Sequence, residues 1–282
     1  MSLPLVISEL FGPVVSDAVL VKYFHVASVA LAVYDYLLML PVEIRYIWKD
    51  QQTFSWKQAL YLLTRYLCFV DVSILSAFLF DAELSPNSCG ILYRTAAWFE
   101  FSGIIVAEVI LLLRTHAIWQ GSRTILYIII SLSSVAIPGA VVMYLDMSTL
   151  KFPVSPIPTI VPCISSGEKS ILYIDYALVL GVEFVVIALT ICIGLKQWKE
   201  QLNPMATVLY RDAFTFSSIL FATSIANVTV LAGTSSIALH LLLLEPQRVL
   251  HSVLTSRIIL HLRIASDDTP EEVETLSTFN AT

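Results

Sequence analysis

The sequence predicts an all-α integral membrane protein, a bundle of seven transmembrane helices with its N-terminus outside and its C-terminus in the cytoplasm. Of its 282 residues 57% are hydrophobic and only 13% are charged, and the mean hydropathy is +0.80. Soluble domains average about 45–50% apolar and about 25% charged residues. Seven segments are long and apolar enough to cross a bilayer, and basic residues are distributed unequally between their connecting loops.

The seven predicted spans follow from length and apolar content, because a membrane-spanning helix needs about 20 mostly apolar residues. They are residues 18–40, 58–80, 93–113, 124–145, 171–195, 208–231 and 235–254. The last two carry many polar residues and are separated only by a Gly-Thr-Ser turn. The chain therefore divides into a short extracellular or lumenal N-terminus (1–17), a seven-helix transmembrane domain (18–263) and an acidic, disordered cytoplasmic tail (264–282).

Basic residues favour cytoplasmic loops, so their distribution predicts the orientation. With the N-terminus outside, ten fall on the cytoplasmic side: Arg45, Lys49, Lys57, Arg114, Arg123, Lys196, Lys199, Arg211, Arg257 and Arg263. Four fall on the outer side: Lys22, Arg94, Lys151 and Lys169. This bias predicts that the chain starts outside and ends in the cytoplasm. It does not distinguish the plasma membrane from an endomembrane.

Two of the four cysteines lie on the predicted outer side. Cys89 precedes the third helix, and Cys163 lies in the outer loop 146–170, whose four prolines predict an extended chain. An oxidising compartment would allow these two to form a disulfide that holds the loop over the bundle, although two free thiols are the alternative. Cys68 and Cys192 lie within helices and are expected to be packing residues.

Charged residues within the predicted helices fall into two layers. The first lies near the cytoplasmic ends of the helices and contains two acids and two bases: Asp35, Arg65, Glu108 and Arg248. An unpaired charge in lipid is costly, so these groups are expected to neutralise one another. Glu245 lies three residues before Arg248 and can join this ion-pair network. The network either fixes helix packing or acts as a switch that breaks when the helices move.

The second layer lies in the middle and outer part of the bundle, with no lysine or arginine expected at the same depth. Its members are His25, Asp71, Glu100, Asp175, Glu183 and His240. Aromatic residues including Trp98 and Tyr176 are close to them in sequence. If these acids point inward, they line an outward-facing cavity suited to a small cationic or amphipathic ligand. Protonated buried carboxyl groups would instead suit acid catalysis, and neutral groups bonded to one another would be structural.

Motifs of several other function classes are absent from the sequence. The five histidines show neither HxxxH nor HExxH spacing, so no metal site is predicted. No glycine-rich phosphate loop and no GxSxG motif occur, so no cofactor and no catalytic residue is assigned. Without a basic block, nucleic acid is not an expected partner. The expected partners are the lipid bilayer, a small ligand and a cytoplasmic signalling protein.

The stretch near the start of the chain carries a family resemblance. The relevant residues are Tyr34-Asp35-Tyr36-Leu37-Leu38, Glu43, Trp48, Arg65-Tyr66, Leu113-Arg114-Thr115-His116-Ala117-Ile118-Trp119, Ser256-Arg257 and Leu262-Arg263. This pattern resembles the signature of a family of seven-helix membrane proteins of unknown function from basidiomycete fungi. The resemblance implies a fungal, receptor-like membrane protein without an established activity. The topology also resembles G-protein-coupled receptors, but Leu113-Arg114-Thr115 replaces their Asp/Glu-Arg-Tyr motif.

Three functions remain open at the level of sequence. A receptor or sensor would bind a ligand in the acidic cavity and transmit the change through the ion-pair network. A membrane enzyme similar to fungal terpene cyclases would use Asp71, Glu100 and Glu183 as proton donors. A small-molecule transporter is less favoured, since neither inverted repeats nor a pair of broken helices is evident.

Overall fold

The computed structural model describes residues 3–48, 55–166, 171–199, 204–234, 236 and 238–279, which are almost entirely helical. The α-helices are α1 (Leu3–Glu43), α2 (Trp56–Phe80), α3 (Pro86–Ile118), α4 (Arg123–Ser133), α5 (Ala136–Thr149), α6 (Tyr173–Lys199), α7 (Pro204–Gly233) and α8 (Leu244–Phe279). A π-helix (Ile44–Trp48) continues α1, and a 3₁₀-helix (Ala238–Leu241) precedes α8. Among the described residues, the sole β-type pairing is an isolated bridge between Lys151 and Ser166.

Local sequence signals explain where α2 and α3 begin. Ser55 caps α2, and its hydroxyl and the Gln58 side chain satisfy each other's backbone N–H groups in a capping box. Ser85 caps α3 and is followed by Pro86, which is tolerated in the first turn because its missing N–H would have no helical partner. These two starts place the charged residues of both helices at defined depths.

Six described segments are long and apolar enough to cross a membrane, so the prediction of a helical, multi-pass membrane protein is confirmed. They are Val15–Trp48, Trp56–Phe80, Pro86–Ile118, Arg123–Thr149, Tyr173–Leu195 and Ala213–Gly233. The predicted seventh span corresponds to α8, which does not meet the same criterion. α8 nevertheless packs against α1, α2, α3 and α7. Because other helices cover its first half, that half can carry polar side chains that a lipid-facing helix could not.

The fourth span is interrupted in its middle. α4 ends at Ser133 and α5 begins at Ala136, with a turn at Ser134 and Val135. Pro138 lies just after this turn and has no N–H to donate to the carbonyl of Ser134, so a continuous helix would lose a hydrogen bond there. The apolar pattern of residues 124–145 predicts one continuous helix, and Pro138 is the sequence signal for the break.

Helix bounds differ most from the sequence prediction at the start of α1 and at both ends of α8. α1 is already helical from Leu3, and α8 continues to Phe279, through the segment predicted to be a disordered tail. α8 begins at Leu244 rather than at residue 235. Arg248 is therefore in the second turn from the start of α8, whereas the prediction placed it near the end of its helix. This shift changes which acids Arg248 can reach.

The segment after α5 is held against the ends of the helices. A disulfide joins Cys89 to Cys163, as predicted, and both cysteines lie in a buried apolar cluster with Tyr93. Phe152 packs against this cluster, and the Lys22 ammonium group donates a hydrogen bond to the Ile160 carbonyl at 2.8 Å. The 150–166 segment has no helix and runs over this end of the bundle, as its prolines indicated.

Candidate functional site

Polar side chains occur along most of the first half of α8 and contact the neighbouring helices. We call this the α8 polar face and define it as Gln247, Arg248, His251, Ser252, Thr255 and Arg257. Gln247 exchanges hydrogen bonds with Asn227 and Ser224 of α7. On the side of α2, the hydroxyl of Ser252 donates to the Thr64 carbonyl at 2.8 Å. Helical spacing places these residues on adjacent faces, so α8 can contact several helices at once.

Near the start of α8, Arg248 forms a fully buried ion pair with Asp71 of α2. Its Nε lies 2.8 Å from an Asp71 carboxylate oxygen, and Arg248 has no exposed surface. A Cβ on Gly103 of α3 would overlap the guanidinium group, so the absence of a side chain there lets the arginine pass close to α3. The expectation that Asp71 has no base at its depth is therefore wrong, because α8 begins later than predicted.

Glu108 and Glu245 are also placed differently from the predicted ion-pair network. Glu245 is buried, and among the described residues no ion pair joins it to Arg248 despite their spacing. Glu108 contacts neither Arg65 nor Arg248 as an ion pair in the described part of the chain, and lies instead beside His251. The position of α8 along α3 explains the contact of Glu108, because Arg248 lies beside Gly103 and His251 lies beside Glu108.

In the middle of α8, His251 lies between two buried carboxylates. Its Nε2 is 3.2 Å from an oxygen of Glu183 on α6, and its Nδ1 is 3.8 Å from an oxygen of Glu108 on α3. One ligand atom from each of the three residues lies within 4.8 Å of the others. The sequence analysis did not group these residues, because they belong to three helices and have no common spacing.

At the other end of the α8 polar face, Asp35 of α1 forms ion pairs with two arginines. Arg65 Nη1 lies 3.3 Å from Asp35, as the sequence analysis expected for this pair, and Arg257 Nε lies 2.7 Å from its other oxygen. Arg65 also contacts Glu43 at 2.9 Å. Neither Glu43 nor Arg257 was assigned to the network, although Glu43 was part of the family signature and Arg257 lay at the predicted cytoplasmic end.

Glu43 is the most heavily bonded acid of this region and is completely buried. Its carboxylate accepts hydrogen bonds from the hydroxyl groups of Tyr61 and Tyr66 and from the indole N–H of Trp48. Arg65 balances the charge of the acid, and the three donors replace hydrogen bonds to water. Together they offset the desolvation cost of burying the carboxylate. We refer to Asp35, Glu43, Arg65 and Arg257 as the Asp35 network.

A cavity of about 80 Å³ lies beside the break between α4 and α5, enclosed mainly by α3, α5 and α6. Its walls are mostly apolar and include Ile104, Leu112 and Val182. Three carboxylates also line the cavity, and these are Glu100, Glu108 and Asp175. Its surface therefore combines acidic groups with aliphatic side chains.

The cavity carboxylates differ in their partners. Glu100 accepts a hydrogen bond of 2.8 Å from the hydroxyl group of Tyr176, which also lines the cavity. Neither carboxylate oxygen of Asp175 has a hydrogen-bond partner among the described residues, although Asp175 is 5% exposed. A Cβ at Gly139 would approach to 3.1 Å from Asp175, so this glycine leaves room beside the acid.

The remaining predicted ligand-binding residues lie elsewhere. Asp71 is paired with Arg248, Glu183 with His251, and neither lines this cavity. His25 lies 2.8 Å from the Ser76 hydroxyl group, in contact with the ring of Phe80. His240 is buried in the 3₁₀-helix before α8. Of the six predicted residues, the structure thus brings Glu100 and Asp175 to the cavity.

Fold and site together define a helical, multi-pass membrane protein with an acidic cavity and several buried ion pairs. The model of a family of unknown function (DUF6533) matches residues 23–70. This segment covers about half of α1 and more than half of α2, and it contains Asp35, Glu43 and Arg65. No curated protein matches the chain.

Proposed function

We propose that the protein is a membrane receptor or sensor that binds a small cationic or amphipathic ligand in the cavity between α3, α5 and α6. The observation that carries this proposal is the presence of three carboxylates in one otherwise aliphatic cavity. A cationic group would be attracted by Glu100, Glu108 and Asp175, while an attached alkyl group would fit the aliphatic walls. The volume suits a small ligand or the head of a larger amphiphile.

A route from the cavity to the far end of the bundle supports a sensing role. Glu108 lines the cavity and also lies beside His251 of α8. Two turns further along α8, Arg257 contacts Asp35 and thereby the Asp35 network. A ligand that draws Glu108 away from His251 would change the contacts of α8, and a rigid helix can transmit such a change to its other end.

The topology is part of the proposal. We place the N-terminus outside, α8 across the membrane as the seventh helix, and the α3–α4 connection and the C-terminus in the cytoplasm. The basic residues at 114, 123, 257 and 263 support this orientation. The outer end would then carry the Cys89–Cys163 disulfide, which requires an oxidising compartment. The cytoplasmic end would contact a signalling protein.

The source and location of the protein follow from the resemblance noted in the sequence. The signature around Asp35 and Arg65 supports a fungal origin and a receptor-like protein of the plasma membrane or an endomembrane. Localisation of a fluorescently tagged chain in a fungal host tests the membrane assignment. Retention in an internal compartment that never reaches the cell surface would argue for a lumenal rather than an extracellular ligand.

Ligand binding can be tested with a matched pair of probes on the full chain in lipid nanodiscs. An alkyltrimethylammonium ion, below its micelle concentration, should raise the unfolding temperature, whereas an alkyl sulfate of the same chain length should not. The substitutions Asp175→Asn and Glu100→Gln should each reduce the effect of the cationic probe, because each removes a carboxylate from the cavity. Glu83→Gln is the matched control, since Glu83 is exposed and outside the cavity.

The sensing step needs a second measurement. Spin labels at exposed Arg45 and Arg123, with the exposed free thiol of Cys192 replaced, report the distance between the ends of α1 and α4. The cationic probe should change this distance in the wild-type background and not in Asp175→Asn. Equal stabilisation by both probes would refute the ligand class, and binding without a distance change would refute the sensing role.

The enzyme alternative has less structural support. Of its three proton-donor candidates, Glu100 lines the cavity, while Asp71 and Glu183 are engaged by Arg248 and His251. The broken fourth span favours a transporter only weakly, since such folds use a pair of broken helices at the binding site. Turnover of an epoxy-prenyl substrate by purified protein would nevertheless replace the receptor proposal with the enzyme.

A further inference from the structure

We propose that Glu108, Glu183 and His251 bind one divalent transition-metal ion of the zinc type inside the helix bundle. One ligand atom of each residue lies within 4.8 Å of the other two. Tetrahedral coordination at about 2.0–2.2 Å places ligand atoms roughly 3.3–3.6 Å apart, so small side-chain rotations would bring all three to a common ion. This site is separate from the ligand cavity proposed above but shares Glu108 with it, so an ion on Glu108 would leave Glu100 and Asp175 as the cavity carboxylates available to a cationic ligand.

The carboxylate oxygens and ring nitrogens of the triad support the presence of a bound ion. Both carboxylate oxygens of Glu108 and of Glu183, and both ring nitrogens of His251, have no hydrogen-bond partner among the described residues. Glu183 is 2% exposed, and His251 is completely buried. Buried polar atoms are normally bonded, because an unsatisfied carboxylate or imidazole costs several kcal/mol in an apolar interior. One ligand atom from each residue lies within 4.8 Å of the other two, and this arrangement favours an occupant between them.

Charge balance favours a divalent ion over a protonated histidine. An imidazolium ion would contribute one positive charge against two carboxylates, so one of the two acids would also have to bind a proton before the site is neutral. A divalent cation neutralises both acids and leaves His251 neutral, the form in which an imidazole binds metals. Burial of a charged group is tolerated when it is fully paired or coordinates a metal.

The donor set selects the kind of metal. Calcium and magnesium prefer sites made of oxygen ligands, whereas an imidazole with two carboxylates suits zinc and neighbouring first-row ions. Three protein ligands leave a fourth position for water, as in zinc sites that are not purely structural. Because Glu108 also lines the cavity, an ion can reach the triad from the cavity side.

The triad assembles only when three helices are packed together. Glu108 lies on α3, Glu183 on α6 and His251 on α8, and α6 does not precede or follow α8 directly in the chain. A bound ion would therefore stabilise the association of these helices, since it binds the folded bundle and not the separated helices. Removal of the metal is expected to lower the unfolding temperature of the whole protein.

The experiment measures metal content of the full chain purified in detergent through a tag that contains no histidine. Protein stripped with a chelator, reloaded with Zn²⁺ and freed of excess metal should retain about one ion per chain. Glu183→Gln and His251→Asn should each reduce retention roughly tenfold or more. His25→Asn and Glu100→Gln are matched controls at a buried histidine and a buried acid outside the triad, and should retain the metal.

A measurement on the wild-type protein decides the question even if the triad variants do not fold. X-ray absorption at the zinc edge should show oxygen ligands with one imidazole and no sulfur. Absence of retained zinc, sulfur or multiple-imidazole ligation, or full retention by folded Glu183→Gln would each overturn the proposal. If the wild-type protein retains zinc but its unfolding temperature does not rise with the cationic probe, the proposed ligand is refuted and the metal site is not.

Discussion

Asp35 joins three helices through two arginines, and this dual pairing determines what its loss should cost. Arg65 is 3% exposed and Arg257 is 31% exposed at the side chain. Asp35→Ala leaves the buried Arg65 with Glu43 alone, and removal of one partner from a buried pair costs about 3–5 kcal/mol. Arg257→Ala should cost about 0–1 kcal/mol, because a partly exposed pair is screened by solvent.

The measurement is the yield of monodisperse protein and its unfolding temperature in detergent. Arg65→Ala should resemble Asp35→Ala, since it leaves both Glu43 and Asp35 short of a charge partner. Normal accumulation of both variants, together with loss of the distance change induced by the cationic probe, would show that the Asp35 network is a switch and not a packing contact.

Gly103 offers a second test at the scale of one residue. A methyl group added there would overlap the Arg248 guanidinium, so Gly103→Ala should destabilise the protein by about 1–3 kcal/mol through overpacking. Gly181→Ala is the matched control, because no atom lies within 4 Å of its Cβ position in the middle of α6. It should be neutral or raise the unfolding temperature slightly. Equal effects of the two substitutions would contradict the close approach of Arg248 to α3.

At the scale of elements, the disulfide holds the segment after α5, and the break in the fourth span borders the cavity. The disulfide links residues 74 positions apart and holds the 150–166 segment against α3. Helix formation itself was predictable from apolar content for six spans. The break between α4 and α5 was missed, because a periodic apolar pattern continues across it and Pro138 received no weight.

Removal of the disulfide should loosen the 150–166 segment and lower stability. The double substitution Cys89→Ala/Cys163→Ala should cost about 2–4 kcal/mol in free energy of unfolding, through greater freedom of the unfolded chain. Thermal unfolding in nanodiscs measures this, with Cys192→Ala as the control for loss of an unbonded cysteine. An unchanged unfolding temperature after the double substitution would show that packing of Phe152 and its neighbours is sufficient to hold the segment.

At the scale of the whole molecule, the number of spans decides on which sides the termini lie. If α8 crosses the membrane, the termini lie on opposite sides, whereas six spans would put both on one side. An N-terminal epitope should be accessible in intact cells, and a C-terminal epitope only after permeabilisation. Accessibility of both epitopes in intact cells would exclude the seven-helix topology.

Thiol labelling gives an independent measurement of orientation. In a background without Cys192, Glu83→Cys in the α2–α3 turn should react with an impermeant maleimide in intact cells. Ser122→Cys in the α3–α4 turn should react only after permeabilisation, because the two turns lie at opposite ends of α3. The reverse pattern would invert the bundle and place the disulfide in the cytoplasm, where it would not persist.

The sequence by itself determined the class of protein and the approximate positions of the apolar helices, and it favoured the Cys89–Cys163 disulfide and the approach of Asp35 to Arg65. The first two follow from the transfer of apolar residues into lipid, which depends on composition alone. The disulfide was favoured because both cysteines lie on the same predicted side of the membrane, with two free thiols as the alternative. The approach of Asp35 to Arg65 was favoured because the connection between α1 and α2 is short, so both residues lie at similar distances from it.

Only the tertiary structure decided which buried acid meets which base. α8 starts at Leu244 instead of residue 235, and Arg248 lies beside Gly103 of α3 instead of at the depth of Glu108, which is an offset of about 7.5 Å along α3. This offset pairs Arg248 with Asp71 and places His251 between Glu108 and Glu183. Successive side chains on a helix also point about 100° apart around its axis. The partner of a side chain therefore depends on its position along the helix and on the direction in which it points. Neither the position nor the direction can be predicted from the spacing of apolar residues in α8, because polar residues covered by neighbouring helices interrupt that spacing.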